Sequence, residues 1–291
     1  MSRRGLFLFI LVGFLWGIPY LFIKVAVDPD NGFSPAIVVC LRTAIGAAIL
    51  IPIAIKQRQL FAAVRGWRYV GAYAFLEMIG PWILIGTAEQ KISSGLTGLL
   101  VASVPIWATI FASLRGDKTV WHRTRLLGII VGFIGLVAVV GIESITGSAD
   151  PLSIAMVLVA SIGYSYAVMM VQSALPHVSG IAINAVAMAM TAIFYLPWTI
   201  AQWPTHEISQ GAIRAIIGLG VLSTGAAFAA FFTLANIIGV ARGSLVTYLN
   251  TAFAVVLGVI ILKEPLTTGI ILGLPLVLIG SYFASRKPAD A

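Results

Sequence analysis

The sequence predicts an all-α integral membrane protein with ten transmembrane helices. Hydrophobic residues make up 60% of its 291 residues and charged residues only 10%, whereas about a quarter of an ordinary soluble domain is charged. Apolar segments of about 20 residues recur, each long enough to cross a hydrocarbon core of about 30 Å as a helix. They lack the alternating pattern of a membrane β-barrel, so helices are expected to satisfy their backbone groups in lipid.

The ten predicted helices follow one another with short connections, such as DPDNGFS from Asp28, which leave no room for a soluble domain. The first span follows Arg3 and Arg4 as a signal peptide would. It runs past 20 residues through Pro19 without a small-residue cleavage site, so we expect a retained helix. The predicted spans are 5–27, 35–55, 67–88, 94–114, 124–142, 151–171, 180–200, 211–235, 242–262 and 268–285.

The basic residues predict the orientation, because Lys and Arg are retained on the cytoplasmic side. With a cytoplasmic N-terminus, thirteen of the 18 Lys and Arg residues fall in cytoplasmic segments. The outer segments hold Lys91, Arg214 and Lys263, and Lys24 and Arg42 lie within spans. Both termini are therefore predicted to be cytoplasmic, in a multi-pass protein of the cell (inner) membrane. The net charge of +8 reflects this topology and contact with the lipid bilayer, and predicts no nucleic-acid binding.

An internal repeat divides the single membrane domain into two five-helix halves, residues 1–145 and 146–291. A shift of 145 residues places TGLLVASVPIWATI over RGSLVTYLNTAFAV, with Gly98 on Gly243 and Lys118 on Lys263. Because each copy holds an odd number of helices, the second must be inverted relative to the first. Inverted repeats are typical of alternating-access transporters, whose site lies near the midplane between the copies. Duplicated bundles also occur in channels and enzymes.

One face of the first helix is a candidate cavity wall. Gly17, Tyr20 and Lys24 share this face at about 100° per residue, and Trp16 borders it. Small residues allow close approach and aromatic rings offer flat apolar walls, although a helix-packing seam explains the same pattern. Lys24 lies near the outer end, where it either extends to lipid headgroups or binds a substrate carboxylate.

Two charged residues are predicted at membrane depth, where each must face protein or water. Arg42 can bind a carboxylate with two hydrogen bonds, from Glu77, an outer-loop acid or a substrate. For Glu77 three roles stay open: an ion pair, a protonated carboxyl within the bundle, or a titrating site that couples transport to protons. Pro81 leaves a carbonyl near Glu77 without its helical hydrogen bond, which predicts a kinked pocket wall beside Trp82.

Further polar and aromatic side chains at membrane depth complete the predicted cavity, although some must satisfy neighbouring backbones. A neutral, partly aromatic cavity favours a zwitterion or mixed organic solutes over a dianionic phosphate. These residues are Ser103, Trp107, Ser161, Tyr164, Ser165, Asn184, Ser223, Thr224, Tyr248 and Asn250.

The sequence lacks the motifs of a membrane enzyme or an ATPase. It has no HExxH, no GxSG and no phosphate loop, and His122, His177 and His206 fall in predicted loops. We therefore expect no enzyme activity, cofactor or metal. The absence of an ATP site favours a secondary transporter or facilitator, with a channel as the alternative. A monomer supplies both halves, so a homodimer is not required.

Three stretches resemble the EamA family of drug/metabolite transporters: GFLWGIPYLFIKVAV, FSPAIVVCLRTAIGAAIL and KEPLTTGIILGLPLVLIGSYF. The resemblance covers essentially the whole chain and is greatest to the exporters of amino acids, including aromatic ones. It implies efflux of small organic solutes through a cavity formed by helices 1–4 and 6–9, with helices 5 and 10 peripheral. The family's acidic residue before the last helix of each half corresponds to Asp117 and Glu264, both expected to be loop or helix-cap residues.

Overall fold

The computed structural model is helical, with no β-strand in the residues that it describes, which are 2–145, 149–239, 243 and 245–285. A short helix, Leu60–Arg65, and a 3₁₀ turn, Lys118–Trp121, lie in connections. The longer helices within the described residues are α1 Arg3–Ala26, α2 Pro35–Lys56, α3 Trp67–Glu89, α4 Ser94–Leu114, α5 Arg123–Ile145, α6 Pro151–Ala174, α7 Gly180–Ala201, α8 Gln210–Ile238, α9 Val246–Ile261 and α10 Thr268–Ser285.

Helices α1 to α8 are long and apolar enough to cross a membrane, by length and composition. Helices α9 and α10 are equally apolar but shorter within the described residues. The predicted all-helical class is confirmed, and the predicted spans end within about one helical turn of these helices. The predicted span 242–262 includes residues 242 and 244, which lie outside the described residues.

Serine and aspartate side chains fix where many helices begin, because each accepts a hydrogen bond from a free backbone N–H of the first turn. The oxygens belong to Ser2, Ser93, Asp150, Ser179 and Ser209. At Asp150, hydrogen bonds from the Ser153 hydroxyl and N–H, with help from Lys91 at 3.7 Å, keep the pKa of the carboxyl below its usual value. Asp150 is therefore ionised at neutral pH and stabilises the start of α6.

Helix α3 contains a π-helical turn, Phe75–Ile79. Pro81 has no N–H to donate to the Glu77 carbonyl, so the regular hydrogen-bond pattern cannot continue through this turn. The Tyr195 hydroxyl on α7 donates to the Ile79 carbonyl at 2.7 Å. The irregular backbone that Pro81 predicted is thus a widened turn that another helix supports.

Two other helices are also interrupted. Helix α8 carries a π-helical segment, Leu219–Ala226. Helix α4 is interrupted at Ala102 and Ser103, because Pro105 cannot donate to the carbonyl four residues earlier. Ser281 on α10 donates to the Ala102 carbonyl at 2.9 Å, which satisfies a backbone group at the break.

The most extensive helix contacts form a symmetrical set. Helix α1 packs against α8 and α9, and α6 packs against α3 and α4 in the same way. Helix α2 packs against α8, and α7 packs against α3. The remaining large contacts, α2 with α7, α4 with α9 and α5 with α10, each join a helix to one from the other half. Apart from a further contact between α4 and α10, the set is unchanged when α1–α5 are exchanged with α6–α10.

Glycines allow α5 and α10 to approach closely. A Cβ added at Gly135 would lie 2.7 Å from the Leu276 Cβ and 2.8 Å from the Val277 nitrogen. A Cβ on Gly280 would collide with the backbone of Gly132. Because lipid provides no hydrophobic drive for helix association, this close backbone contact holds the pair together.

We expect Gly135→Ala to destabilise the protein by about 1–3 kcal/mol, because the new methyl group must displace the α10 backbone. Gly141→Ala on the same helix is the matched control, since a Cβ there meets nothing within 4 Å. The unfolding midpoint in detergent, followed by fluorescence-detected size exclusion, measures the difference. Equal midpoints for the two variants would contradict the proposed close packing.

Candidate functional site

A buried cluster of charged and aromatic side chains is centred on Arg42 of α2, whose exposed fraction is 6%. The guanidinium carbon lies 3.6 Å from the centre of the Trp82 ring on α3. The Nη2 atom donates to the Thr224 Oγ1 on α8 at 3.3 Å, and the Nε atom has no hydrogen-bond partner among the described residues. Arg42 therefore joins the two sequence halves while part of its hydrogen-bonding capacity remains unused.

Aromatic side chains from both halves surround the Arg42 cation. Tyr164 on α6 and Tyr20 on α1 are close enough to interact with it electrostatically. Tyr164 also interacts with Trp82. Stacking on Trp82 stabilises a desolvated guanidinium by a cation–π interaction. The cluster consequently offers one cation and three aromatic rings to a ligand.

Arg42 has no counter-ion among the described residues. Its guanidinium interacts electrostatically with Glu89, yet no carboxylate oxygen lies within 4.0 Å of it. The ion pairs Lys91–Asp150 and Arg125–Asp117 lie elsewhere. An ion pair between Arg42 and Glu77, one of the alternatives from the sequence, is therefore wrong. A buried charge without a partner is costly, which suits a residue that binds an anionic group of a ligand.

Glu77 lies in the π-helical turn of α3 and is half-buried. Its Oε2 atom has no hydrogen-bond partner among the described residues. It interacts electrostatically with Tyr73 and Tyr164. The Tyr73 hydroxyl donates to the Asn184 Oδ1 on α7 at 3.2 Å. Glu77 thus lies near polar side chains of α3, α6 and α7.

The structure brings several other predicted residues to this region. Ser223 adjoins Thr224 in the π-helical segment of α8, and its buried hydroxyl has no partner among the described residues. Pro81 is buried against Gly163 of α6, where a Cβ would lie 3.4 Å from the proline ring. These residues border the cluster from α8 and α3.

The first-helix residues separate into different roles. Gly17 lies against α9, where an added Cβ would be 2.9 Å from the Asn250 carbonyl oxygen, so it belongs to a helix-packing seam. Trp16 packs against Phe231, with ring centres 4.7 Å apart.

Lys24 donates to the main-chain carbonyls of Glu89 at 2.5 Å and Ile92 at 2.9 Å. Lys24 therefore caps the end of α3, a role that was not predicted.

The remaining predicted cavity residues make local contacts away from Arg42. Trp107 donates to the Ser103 Oγ at 3.1 Å and packs against Phe133 of α5. Tyr248 lies edge-on to Tyr282 of α10. The other polar groups bond to nearby oxygens: Ser161 to Val157 and Leu100, Ser165 to Ile162, and the Asn250 Oδ1 accepts from Thr251.

Glu89, the last residue of α3, is the main site residue that the sequence analysis missed, because the predicted span ended at residue 88. It is fully buried, and neither carboxyl oxygen has a hydrogen-bond partner among the described residues. It lines a cavity of about 210 Å³ together with Lys24, Asp28, Asn31 and Ser209. A carboxylate directly after an apolar span was the signal that could have identified it.

Glu264, in the connection between α9 and α10, caps the start of α4. Its Oε1 accepts from the Ser94 N–H at 2.8 Å, and its Oε2 accepts from the Ser94 hydroxyl at 2.8 Å and from the Gly95 N–H at 3.2 Å. The expected helix-cap role of Glu264 is confirmed. Asp117, its counterpart in the first half, forms an ion pair with Arg125 at 3.2 Å.

Sequence comparison gives matches along nearly the whole chain. The EamA-like transporter family matches twice, over residues 3–141 and 151–286. Uncharacterized transporter YoaV of Bacillus subtilis (strain 168) is 26% identical, over 96% of this chain and 97% of that protein. Uncharacterized inner membrane transporter YedA of Escherichia coli (strain K12) is 23% identical, over 95% of this chain and 91% of that protein.

Structural comparison gives the same extent of similarity. A solved crystal structure superposes with a TM-score of 0.66 and covers 98% of each chain at 15% sequence identity. At this level of identity the similarity concerns the fold. The whole chain, and not one half of it, therefore has a known structural counterpart.

We expect Arg42→Met to raise the unfolding midpoint, because it replaces a buried charge without a counter-ion by an apolar side chain. Arg125→Met is the matched control, since Arg125 is also 6% exposed but is paired with Asp117 and bonded to the Ala284 carbonyl. Removing that paired charge should lower the midpoint by the equivalent of about 1–3 kcal/mol, because it breaks the hydrogen bonds to Asp117 and to the Ala284 carbonyl. A lower midpoint for Arg42→Met, measured in ligand-free protein, would contradict the inference that the buried Arg42 charge destabilises the folded protein.

Proposed function

The chain belongs to the EamA-like transporter family, and from that premise we propose that it is a secondary transporter that exports neutral and aromatic amino acids by alternating access. The family and the related inner membrane transporter YedA make it a multi-pass transporter of the inner membrane. The amino-acid substrate, the outward direction and the mechanism are the proposal.

The observation that supports an amino-acid substrate is the Arg42 cation, which lies without a counter-ion beside Trp82 and Tyr164. A guanidinium with free donors binds a carboxylate well, and the rings provide surfaces for an apolar or aromatic side chain. A small zwitterion carries one carboxylate and leaves no excess charge in the membrane. A dianionic phosphate would require more positive charge than Arg42 supplies.

Three features support ten membrane crossings in two inverted halves. The family matches the two halves separately. Apart from the contact between α4 and α10, the large helix contacts are symmetrical on exchange of α1–α5 with α6–α10. The two π-helical segments also coincide, since Phe75 shifted by the repeat of 145 residues falls inside Leu219–Ala226. Irregular turns at equivalent places in both halves suit a site between them that opens alternately to each side.

We expect purified protein in liposomes to catalyse saturable flux of radiolabelled L-phenylalanine that accelerates when unlabelled L-phenylalanine is present on the opposite side. Such counterflow occurs because a carrier returns faster with substrate than without it. Empty liposomes and liposomes with Arg42→Met protein are the controls, and Arg42→Met should reduce flux by about tenfold or more. Flux without saturation or counterflow would indicate a channel. Absence of flux for all amino acids would overturn the amino-acid assignment.

We further propose that Glu77 couples this flux to protons, so that its protonation favours one of the two facings of the site. Glu77→Gln should then abolish uphill flux driven by a pH gradient while exchange at equal pH continues. The exposed Glu207, in the connection before α8, provides the control variant Glu207→Gln. Unchanged pH-driven flux in Glu77→Gln would remove Glu77 from the coupling mechanism.

A further inference from the structure

Glu89 has the features of a binding group that lacks its ligand. Its side chain is fully buried, and both carboxyl oxygens are without hydrogen bonds to the described residues. A carboxylate in this position loses its hydration without gaining a hydrogen bond from the described residues, which is unfavourable. Such a group is expected to have a partner during the protein's working cycle.

The cations near Glu89 are engaged elsewhere. The Lys24 ammonium donates to the main-chain carbonyls of Glu89 and Ile92. The Arg42 guanidinium is stacked on Trp82 and bonded to Thr224. Both cations interact with the Glu89 carboxylate electrostatically, but neither lies within 4.0 Å of it. The partner of Glu89 therefore comes from outside the described residues.

The placement of Glu89 relative to Arg42 suggests what that partner is. Trp82, on which Arg42 is stacked, lies seven residues before Glu89 on α3, so Trp82 and Glu89 share one face of the helix about 10 Å apart along its axis. Glu89 also lines the cavity of about 210 Å³ at the end of α3, whereas Arg42 lies in the buried cluster. An α-amino acid carries a carboxylate and an ammonium on one carbon, and this charge pattern is complementary to a cation and an anion placed along one face of α3.

We propose that Glu89 binds the α-ammonium group of the substrate while Arg42 binds its α-carboxylate. This inference rests on the proposed amino-acid transport and adds the residue that distinguishes an amino acid from other organic anions. A charge-assisted hydrogen bond from the ammonium supplies the partner that the Glu89 oxygens lack. An α-amino acid is then preferred over an analogue without its ammonium, because that analogue leaves Glu89 buried and unpaired.

Three related probes test this assignment: L-phenylalanine, 3-phenylpropionate, which lacks the ammonium, and phenethylamine, which lacks the carboxylate. The half-maximal concentration of each is measured by thermal stabilisation of purified protein and by inhibition of L-phenylalanine counterflow. In Glu89→Gln the concentration for phenethylamine should rise by about tenfold or more, while that for 3-phenylpropionate stays unchanged. Arg42→Met should show the opposite pattern, and Glu207→Gln should match the wild type.

Several outcomes would overturn the proposal. The first is an unchanged response of Glu89→Gln to phenethylamine, and the second is an equal loss of its response to both analogues. The third is that Glu89→Gln loses only its response to a pH gradient, which would assign Glu89 to proton movement. If Glu89→Gln does not fold, Glu89→Asp must weaken the phenethylamine response alone. Absence of any amino-acid flux in the wild type would instead count against the proposed function, and phenethylamine stabilisation would still test Glu89.

Discussion

Apolar surroundings offer a backbone group no hydrogen bond, and every irregular turn within these helices therefore needs a partner from the protein. The π-helical turn of α3 receives the Tyr195 hydroxyl from α7, and the break in α4 receives the Ser281 hydroxyl from α10. These bonds join irregular turns to neighbouring helices. The widened turn that contains Glu77 is held in this way by a hydroxyl group of α7.

The fold class and the approximate spans followed from the sequence, because hydrophobicity and length alone determine whether a segment can cross a bilayer. Arg42 was identified for a similar reason, since a charge at membrane depth needs an explanation. Its surroundings were not predictable, because the Trp82 and Thr224 contacts join residues far apart in the chain. Lys24 and Gly17 are further examples, as only helix packing distinguishes a cap or a seam from a cavity wall.

The cluster keeps charges that weaken the folded protein. Arg42 and Glu89 are both buried, interact electrostatically, and stay too far apart to form an ion pair with each other. By contrast, Arg125 is equally buried but fully engaged with Asp117 and the Ala284 carbonyl. Two arginines of the same exposure thus differ in what the structure provides for them, and the proposed binding role of Arg42 rests on this difference more than on residue type.

The contact between Glu264 and Ser94 crosses from the second half of the chain to the first. It connects the start of α4 to the end of α9, so these two helix ends are expected to move together. In the proposed alternating-access movement, the opposite ends of α4 and α9 must then separate more widely than these two connected ends. The same carboxylate that completes a helix cap would in this way set the point about which the transporter pivots.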